Sequence, residues 1–218
     1  MGLRELVPGT QSEMIGIVDM EMGNLRSVSN AIYSLGFDFT ILRDAAGFGD
    51  VSHVIIPGVG SYTTAMGQLH KLRLVTALRD FAATGRPLMG ICLGMQLLSD
   101  RGDEGGDSPG LGLIPGRVSK IPDDPVRRVP HIGWNNLEVK APDHPVFEKI
   151  RSGVDFYFVH SYEFSADAAD TYAVTDYGRP LVAIVGRRNV IGFQFHPEKS
   201  QANGLRLLEN FCNWEGAC

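Results

Sequence analysis

Within this 218-residue chain, the segment Gly90-Ile91-Cys92-Leu93-Gly94 is the one best suited to covalent chemistry. It has the Gly-x-nucleophile-x-Gly form of a nucleophile elbow, with cysteine in place of the more familiar serine. An elbow turns from strand to helix so tightly that only small residues fit two positions before and two after the nucleophile. A free thiol of pKa near 8.5 is only about 3% thiolate at pH 7. The start of the following helix favours negative charge and so favours thiolate. The backbone N–H of Leu93 is then aimed at a developing oxyanion. The bland alternative is a buried cysteine acting as a small hydrophobe.

A thiolate nucleophile needs a base, and the base needs an orienting group. Six histidines are available: His53, His70, His131, His144, His160 and His196. His70 and His144 stand among polar neighbours and read as solvated. His196 follows the apolar run Val190–Phe195, and Pro197 biases it to an extended conformation. Glu198 comes two residues later, and in extended chain positions i and i+2 share a side, so it is placed to orient the ring. Taken alone, His196-Pro197-Glu198 reads more readily as an ordinary turn; beside an elbow cysteine the catalytic reading prevails. Gly58-Val59-Gly60 invites a dinucleotide reading, but the fingerprint needs glycine where Thr63 stands. A backbone nest for an anion remains open there. No His-Glu-x-x-His, EF-hand or Walker pattern occurs, so no metal and no cofactor is expected.

These residues need a scaffold. Met14–Val18, Phe39–Leu42, Val51–Ile56 and Pro87–Ile91 are short apolar runs that read as buried strands. Helical spacing fills the gaps: Asn24–Leu35, a helix capped by Ser61, Leu72–Ala83, and a helix from Gly94. Alternating strand and helix predicts a parallel sheet with helices on both faces. The loops after the first, third and fourth strands would then share one edge, where ligands bind in open α/β sheets. From about Gly116 the chain is richer in strands, and a helix from about Ser200 to Trp214 closes it. The stretch from Arg101 to Gly112 reads as a flexible loop. The expected organisation is a short N-terminal tail over residues 1–13 and one α/β domain over 14–218.

Composition narrows the function. With 20 Lys and Arg against 25 Asp and Glu, the net charge is −5, and no basic run offers a nucleic-acid footprint. No apolar stretch reaches about 18 residues, so no membrane span is expected. The first residues carry no apolar h-region, and Leu6 breaks the myristoylation pattern. Cys92, Cys212 and Cys218 form no Cys-x-x-Cys pair, a usage that fits a reducing, cytoplasmic setting.

Gly90-Ile-Cys92-Leu-Gly-Met-Gln96 together with Phe195-His196-Pro-Glu198 resembles the triad, or class I, glutamine amidotransferases. The supporting segments are Met22-Gly-Asn-Leu-Arg-Ser27, Pro57-Gly-Val-Gly60, Pro130-His-Ile-Gly-Trp-Asn135, Phe158-Val-His-Ser-Tyr162 and Gln194–Ser200. The resemblance implies that Cys92 attacks the carboxamide of L-glutamine to form a thioester, with His196 moving protons and Glu198 orienting it. Val59 and Leu93 would supply the oxyanion N–H groups. Gly60, Gln96, Glu104, Ser161 and Tyr162 match positions that hold the substrate, Glu104 at its α-ammonium. The segments around Asn24, Trp134 and Lys199 match the branch that hands ammonia to a partner (β/α)₈-barrel cyclase subunit in histidine biosynthesis, and those three residues would lie near that interface. A related subunit serving another acceptor, as in surface-sugar biosynthesis, and a stand-alone cysteine hydrolase are the competing readings. One departure concerns the loop after the first strand, where Met20 and Glu21 replace the family's Tyr and Gly. If that loop needs a positive φ, Glu21 is strained in it.

Overall fold

The structure is a computed structural model, and it describes residues 14–123, 125 and 127–216. The expected tail over 1–13 and Cys218 lie outside the described residues. The first half alternates as the apolar runs require: β1 (Met14–Val18), α1 (Leu25–Ser34), β2 (Asp38–Leu42), β3 (His53–Gly58), α2 (Tyr62–Lys71), α3 (Leu74–Ala83), β4 (Leu88–Cys92) and the short α4 (Leu93–Leu97). Strand-rich chain follows: β5 (Arg101–Gly102), β6 (Ser108–Pro109), β7 (Arg117–Lys120), β8 (His131–Asn136), β9 (Glu138–Val139), β10 (Asp155–His160), β11 (Tyr162–Ser165), β12 (Thr171–Asp176), β13 (Pro180–Arg187) and β14 (Val190–Phe193). Helix α5 (Gln201–Cys212) ends the sequence of elements.

Eight strands form one sheet in the order β2-β1-β3-β4-β14-β13-β12-β9. The pairs from β2 through β14 are parallel, and β13, β12 and β9 extend the sheet antiparallel. Period-two alternation splits β3 between two cores. Val54 and Ile56 face Leu69, Leu74 and Leu78 of α2 and α3. Ile55 faces the layer of Val28 and Ile32 from α1 and Leu207, Leu208 and Phe211 from α5. With helices covering both sides, a parallel sheet has no wet face, so its strands are nearly uniformly apolar. The carboxyl ends of β1, β3 and β4 lie on one edge, as the alternation predicts.

Three expectations are corrected. The stretch 101–112 is ordered: β5 pairs with β6 and also with β7, Arg101 and Arg117 clasp Asp107, and Leu111 is buried. Strands β8 and β11 did not register in the apolar pattern; each pairs antiparallel with a strand far off in sequence. His144 is not solvated. It is buried against Trp214, Tyr172 and Phe147, and burial lowers its pKa to about 4.

Candidate active site

Strand β4 runs directly into α4 at Cys92, whose backbone takes φ 54°, ψ −109°. Such a conformation is costly for a residue with a Cβ and persists only where its surroundings impose it. Here the two flanking glycines impose it by proximity. A methyl group on Gly90 would lie 2.4 Å from the carbonyl oxygen of Gly94, and one on Gly94 would lie 1.8 Å from that of Ile56. The turn is therefore packed backbone against backbone, and it lifts the Cys92 side chain into a cleft.

His196 reaches the same cleft from the chain after β14. Its backbone is extended, with φ −98° and ψ 97°, as Pro197 demands. Its N–H donates to the Tyr157 carbonyl at 2.9 Å, and its own carbonyl accepts from Ser200 Oγ at 2.6 Å. Glu198 Oε1 lies 2.8 Å from His196 Nδ1, but the predicted reason is wrong: residues 197–199 form a 3-10 turn, and that turn brings the carboxylate back to the ring. Burial alone would lower the imidazole, yet the neighbouring Cys92 and Glu198 outweigh it and hold His196 up at about 9. A ring kept as imidazolium favours negative charge on the adjacent sulfur. Its Nε2 makes no hydrogen bond of ordinary geometry among the described residues, which is common at catalytic pairs before substrate binds.

A cavity of about 300 Å³ opens over the sulfur. It is lined by Val59, Gly60, Cys92, Leu93, Gln96, Glu104, Ser161, Tyr162 and His196, all nominated as site residues from the sequence, and by His160, there one of six candidate bases, with Pro130 and Val159, which were given no site role. Glu104, between β5 and β6, reaches the start of α2, where its Oε2 accepts from the Tyr62 N–H at 2.9 Å. Burial raises its carboxyl above the usual range, that hydrogen bond opposes the rise, and the charge of Asp103 adds to it. Gln96 uses both amide hydrogens inside the protein, on the Tyr162 carbonyl and on Gln194 Oε1, each at 3.1 Å. Its carbonyl oxygen is left as an acceptor. Among the described residues, no cluster of His, Cys, Asp and Glu is suited to a metal ion.

The nominated interface residues divide. Trp134, on β8, is 48% exposed beside the exposed Ile132, and Lys199 is exposed. Asn24 instead reaches inward. It occupies the N-cap position of α1 without capping it, and its Nδ2 donates to Glu198 Oε1 at 2.5 Å. Asparagine is a preferred cap, so this one has been diverted to the carboxylate behind His196. The sequence held no signal for that contact. It did hold one for Gln194: two residues before His196 on extended chain, it shares the histidine's side, and it lies against Cys92.

The loop after β1 supports this edge. Glu21 adopts φ 57°, the strained conformation anticipated for it. Met20 is buried with its Cε below Gly58, Gly60 rests on Met22, and Gly23 abuts Val59 so closely that a Cβ would lie 2.9 Å from the Val59 nitrogen.

Residues 16–214 match the family model described as glutamine amidotransferase class-I. The chain is 46% identical over 202 residues to the imidazole glycerol phosphate synthase subunit HisH of Desulfitobacterium hafniense, covering 92% of this chain and 94% of that relative. It is 48% identical over 198 residues to the protein of the same name from Lacticaseibacillus casei, covering 91% and 94% respectively. The solved structure of PurLQS from Thermotoga maritima superposes with a TM-score of 0.73 over 93% of this chain and 99% of that one; at 20% identity this is a likeness of fold.

Proposed function

This chain belongs to the class-I glutamine amidotransferase family, and on that premise we propose that it is the glutaminase subunit of an imidazole glycerol phosphate synthase. The observation that carries the reading is the convergence of Cys92 and His196 on one cavity that also holds Gln96 and Glu104, with Glu198 behind the imidazole. L-Glutamine enters with its α-ammonium toward Glu104 and its carboxamide over Cys92. The sulfur attacks the carboxamide carbon, and negative charge moves to the oxygen, where the N–H groups of Leu93 and Val59 receive it. His196 gives its Nε2 proton to the departing nitrogen, the C–N bond breaks, and ammonia leaves a glutamyl thioester. The now neutral ring takes a proton from water, whose oxygen attacks the thioester; glutamate departs and the sulfur regains its charge. Glu198 holds the ring in the tautomer that keeps Nε2 toward the sulfur and steadies the imidazolium.

The ammonia passes to a (β/α)₈-barrel cyclase subunit, which makes imidazole glycerol phosphate and an aminoimidazole carboxamide ribotide in the cytoplasmic synthesis of histidine. The exposed pair Ile132 and Trp134, with Val59 and Lys199, supports a protein partner on the active-site side of the molecule. Among the described residues no helix is long and apolar enough to cross a membrane. The test is glutamate release by the full chain, alone and with the cyclase subunit and its nucleotide ligand. Release should be slow alone and rise by orders of magnitude in the complex. Full activity without the partner would favour a stand-alone hydrolase.

A further inference from the structure

We propose that Gln194 is a positioning residue for the nucleophile: its buried carboxamide turns an N–H toward Cys92 Sγ while its carbonyl holds Gln96 in place. The inference rests on the glutaminase reading of the site and extends it to a residue outside the triad.

The direction of this amide follows from one fixed end. The Tyr162 carbonyl is a pure acceptor. It receives His160 Nδ1 at 2.8 Å and Gln96 Nε2 at 3.1 Å. Gln96 must therefore turn its NH₂ group inward, and the same NH₂ group meets Gln194 Oε1. That contact requires an acceptor, so Gln194 presents its oxygen to Gln96 and its nitrogen to the sulfur. Nε2 lies 3.9 Å from Sγ, within hydrogen-bond range for the larger sulfur atom. The Gln194 side chain is fully buried, and its own backbone N–H is tied to the Ala183 carbonyl at 2.9 Å. Were Gln96 reversed, its oxygen would face the oxygens of Tyr162 and Gln194; were Gln194 reversed, two NH₂ groups would meet.

The anchoring carbonyl is itself held from behind. Because His160 Nδ1 donates, its Nε2 accepts, and the partner 3.0 Å away, His131 Nδ1, must donate. His131 Nε2 then accepts from Asn135 Nδ2 at 3.3 Å. His131 is stacked between Phe158 and Tyr177. Both rings are neutral: burial lowers His131 to about 4, and burial together with the neighbouring rings lowers His160 to about 3. A chain of hydrogen bonds, converging from both sides on the Tyr162 carbonyl, thus links β8 to the nucleophile and ends there in a donor. A donor favours a sulfur carrying negative charge over a neutral thiol, which is only a weak acceptor.

The titratable groups facing Cys92 across the cavity are His196, His160, Glu104 and Tyr162, so the readout must isolate the sulfur. The full chain is alkylated with iodoacetamide across pH, and the rate at Cys92 is followed by mass spectrometry. In Gln194→Met, which keeps length and bulk, the midpoint of the rate profile should rise by about 1 unit, with alkylation about tenfold slower at neutral pH. The alkaline plateau should hold. Gln194→Glu keeps the acceptor for Gln96 but sets a carboxylate against the sulfur, and it should raise the midpoint further. It also serves as the second variant should Gln194→Met not fold. A merely structural role would scale the rate equally at every pH; that outcome in a folded variant overturns the assignment. The two readings separate on the unaltered chain. Failure of a glutamine-analogue chloroketone to label Cys92 rejects the glutaminase site itself, whereas labelling with unshifted variants rejects Gln194 alone.

Discussion

Asn24 offers the sharpest test of how the triad is held, because two roles compete for one side chain. At the start of α1 it is where a helix cap belongs, yet its amide lies on Glu198 Oε1 at 2.5 Å. The Glu198 side chain is fully buried, Oε1 is shared with His196, and Oε2 has no partner among the described residues. Asn24 is therefore a principal counter-dipole for that carboxylate. Removing a hydrogen-bond donor from a charged group costs about 1.5–3 kcal/mol. If Asn24→Ala loses that stabilisation while the imidazolium forms, kcat/KM falls by about 10- to 150-fold. Asn24→Asp separates the roles. Aspartate caps helices as well as asparagine does, so a capping role predicts little change. A carboxylate facing the Glu198 carboxylate predicts a loss at least as large as with alanine. The assay is glutamine hydrolysis in the reconstituted complex at saturating cyclase subunit, with subunit affinity measured in parallel because Asn24 also borders the proposed interface. Native kcat/KM in Asn24→Asp would refute the reasoning.

Other outcomes follow from the same geometry. Cys92→Ala should abolish glutamine-dependent turnover in the complex and spare turnover on added ammonia; equal loss of both would end the proposed division of labour. Gly94→Ala should destabilise by about 3 kcal/mol and lower Tm by about 6–12 °C, since the intruding methyl meets backbone that cannot yield; a native melting curve would contradict the packing of the elbow. His131 and His144, held at about 4, and His160, at about 3, are buried in neutral form, whereas the unfolded chain takes up these protons near 6.5. Their contribution to stability is present above pH 6.5 and is lost as pH falls toward 4 and 3, so urea midpoints should drop over that window. His196 works in the opposite sense. Raised to about 9, it contributes fully below 6.5 and loses that contribution as pH climbs through about 9.

The parallel core was legible because a strand buried on both faces must be apolar throughout. The nucleophile and its base were legible because local rules constrain them: paired glycines for Cys92, a proline for His196. What escaped is set by distance or by neutrality. Asn24 and Glu198 are 174 residues apart, and no local pattern joins them. Glu198 was assigned its role through an alternation that the chain abandons at residue 197. Gln194 carries no charge and so was given no role beyond heading the segment Gln194–Ser200, although its spacing from His196 was visible. His144 was misjudged from Asp143 and Pro145 beside it, while the aromatic rings that enclose it arrive from β12 and from beyond α5. Strands β8 and β11 are half polar, and their identity comes from pairing with β10 and β7.

The interlock of the loops after β1 and β3 bears on inheritance and engineering. Met20 under Gly58, Met22 under Gly60, and Gly23 against the Val59 nitrogen are three fits between stretches about 40 residues apart in sequence. A recombination point anywhere between them would join one parent's first loop to the other's second. With Met20 and Glu21 replaced by the family's tyrosine and glycine, that junction would set a larger ring below Gly58. Chimaeras of this chain with its relatives should therefore exchange residues 19–24 and 57–60 as a single block.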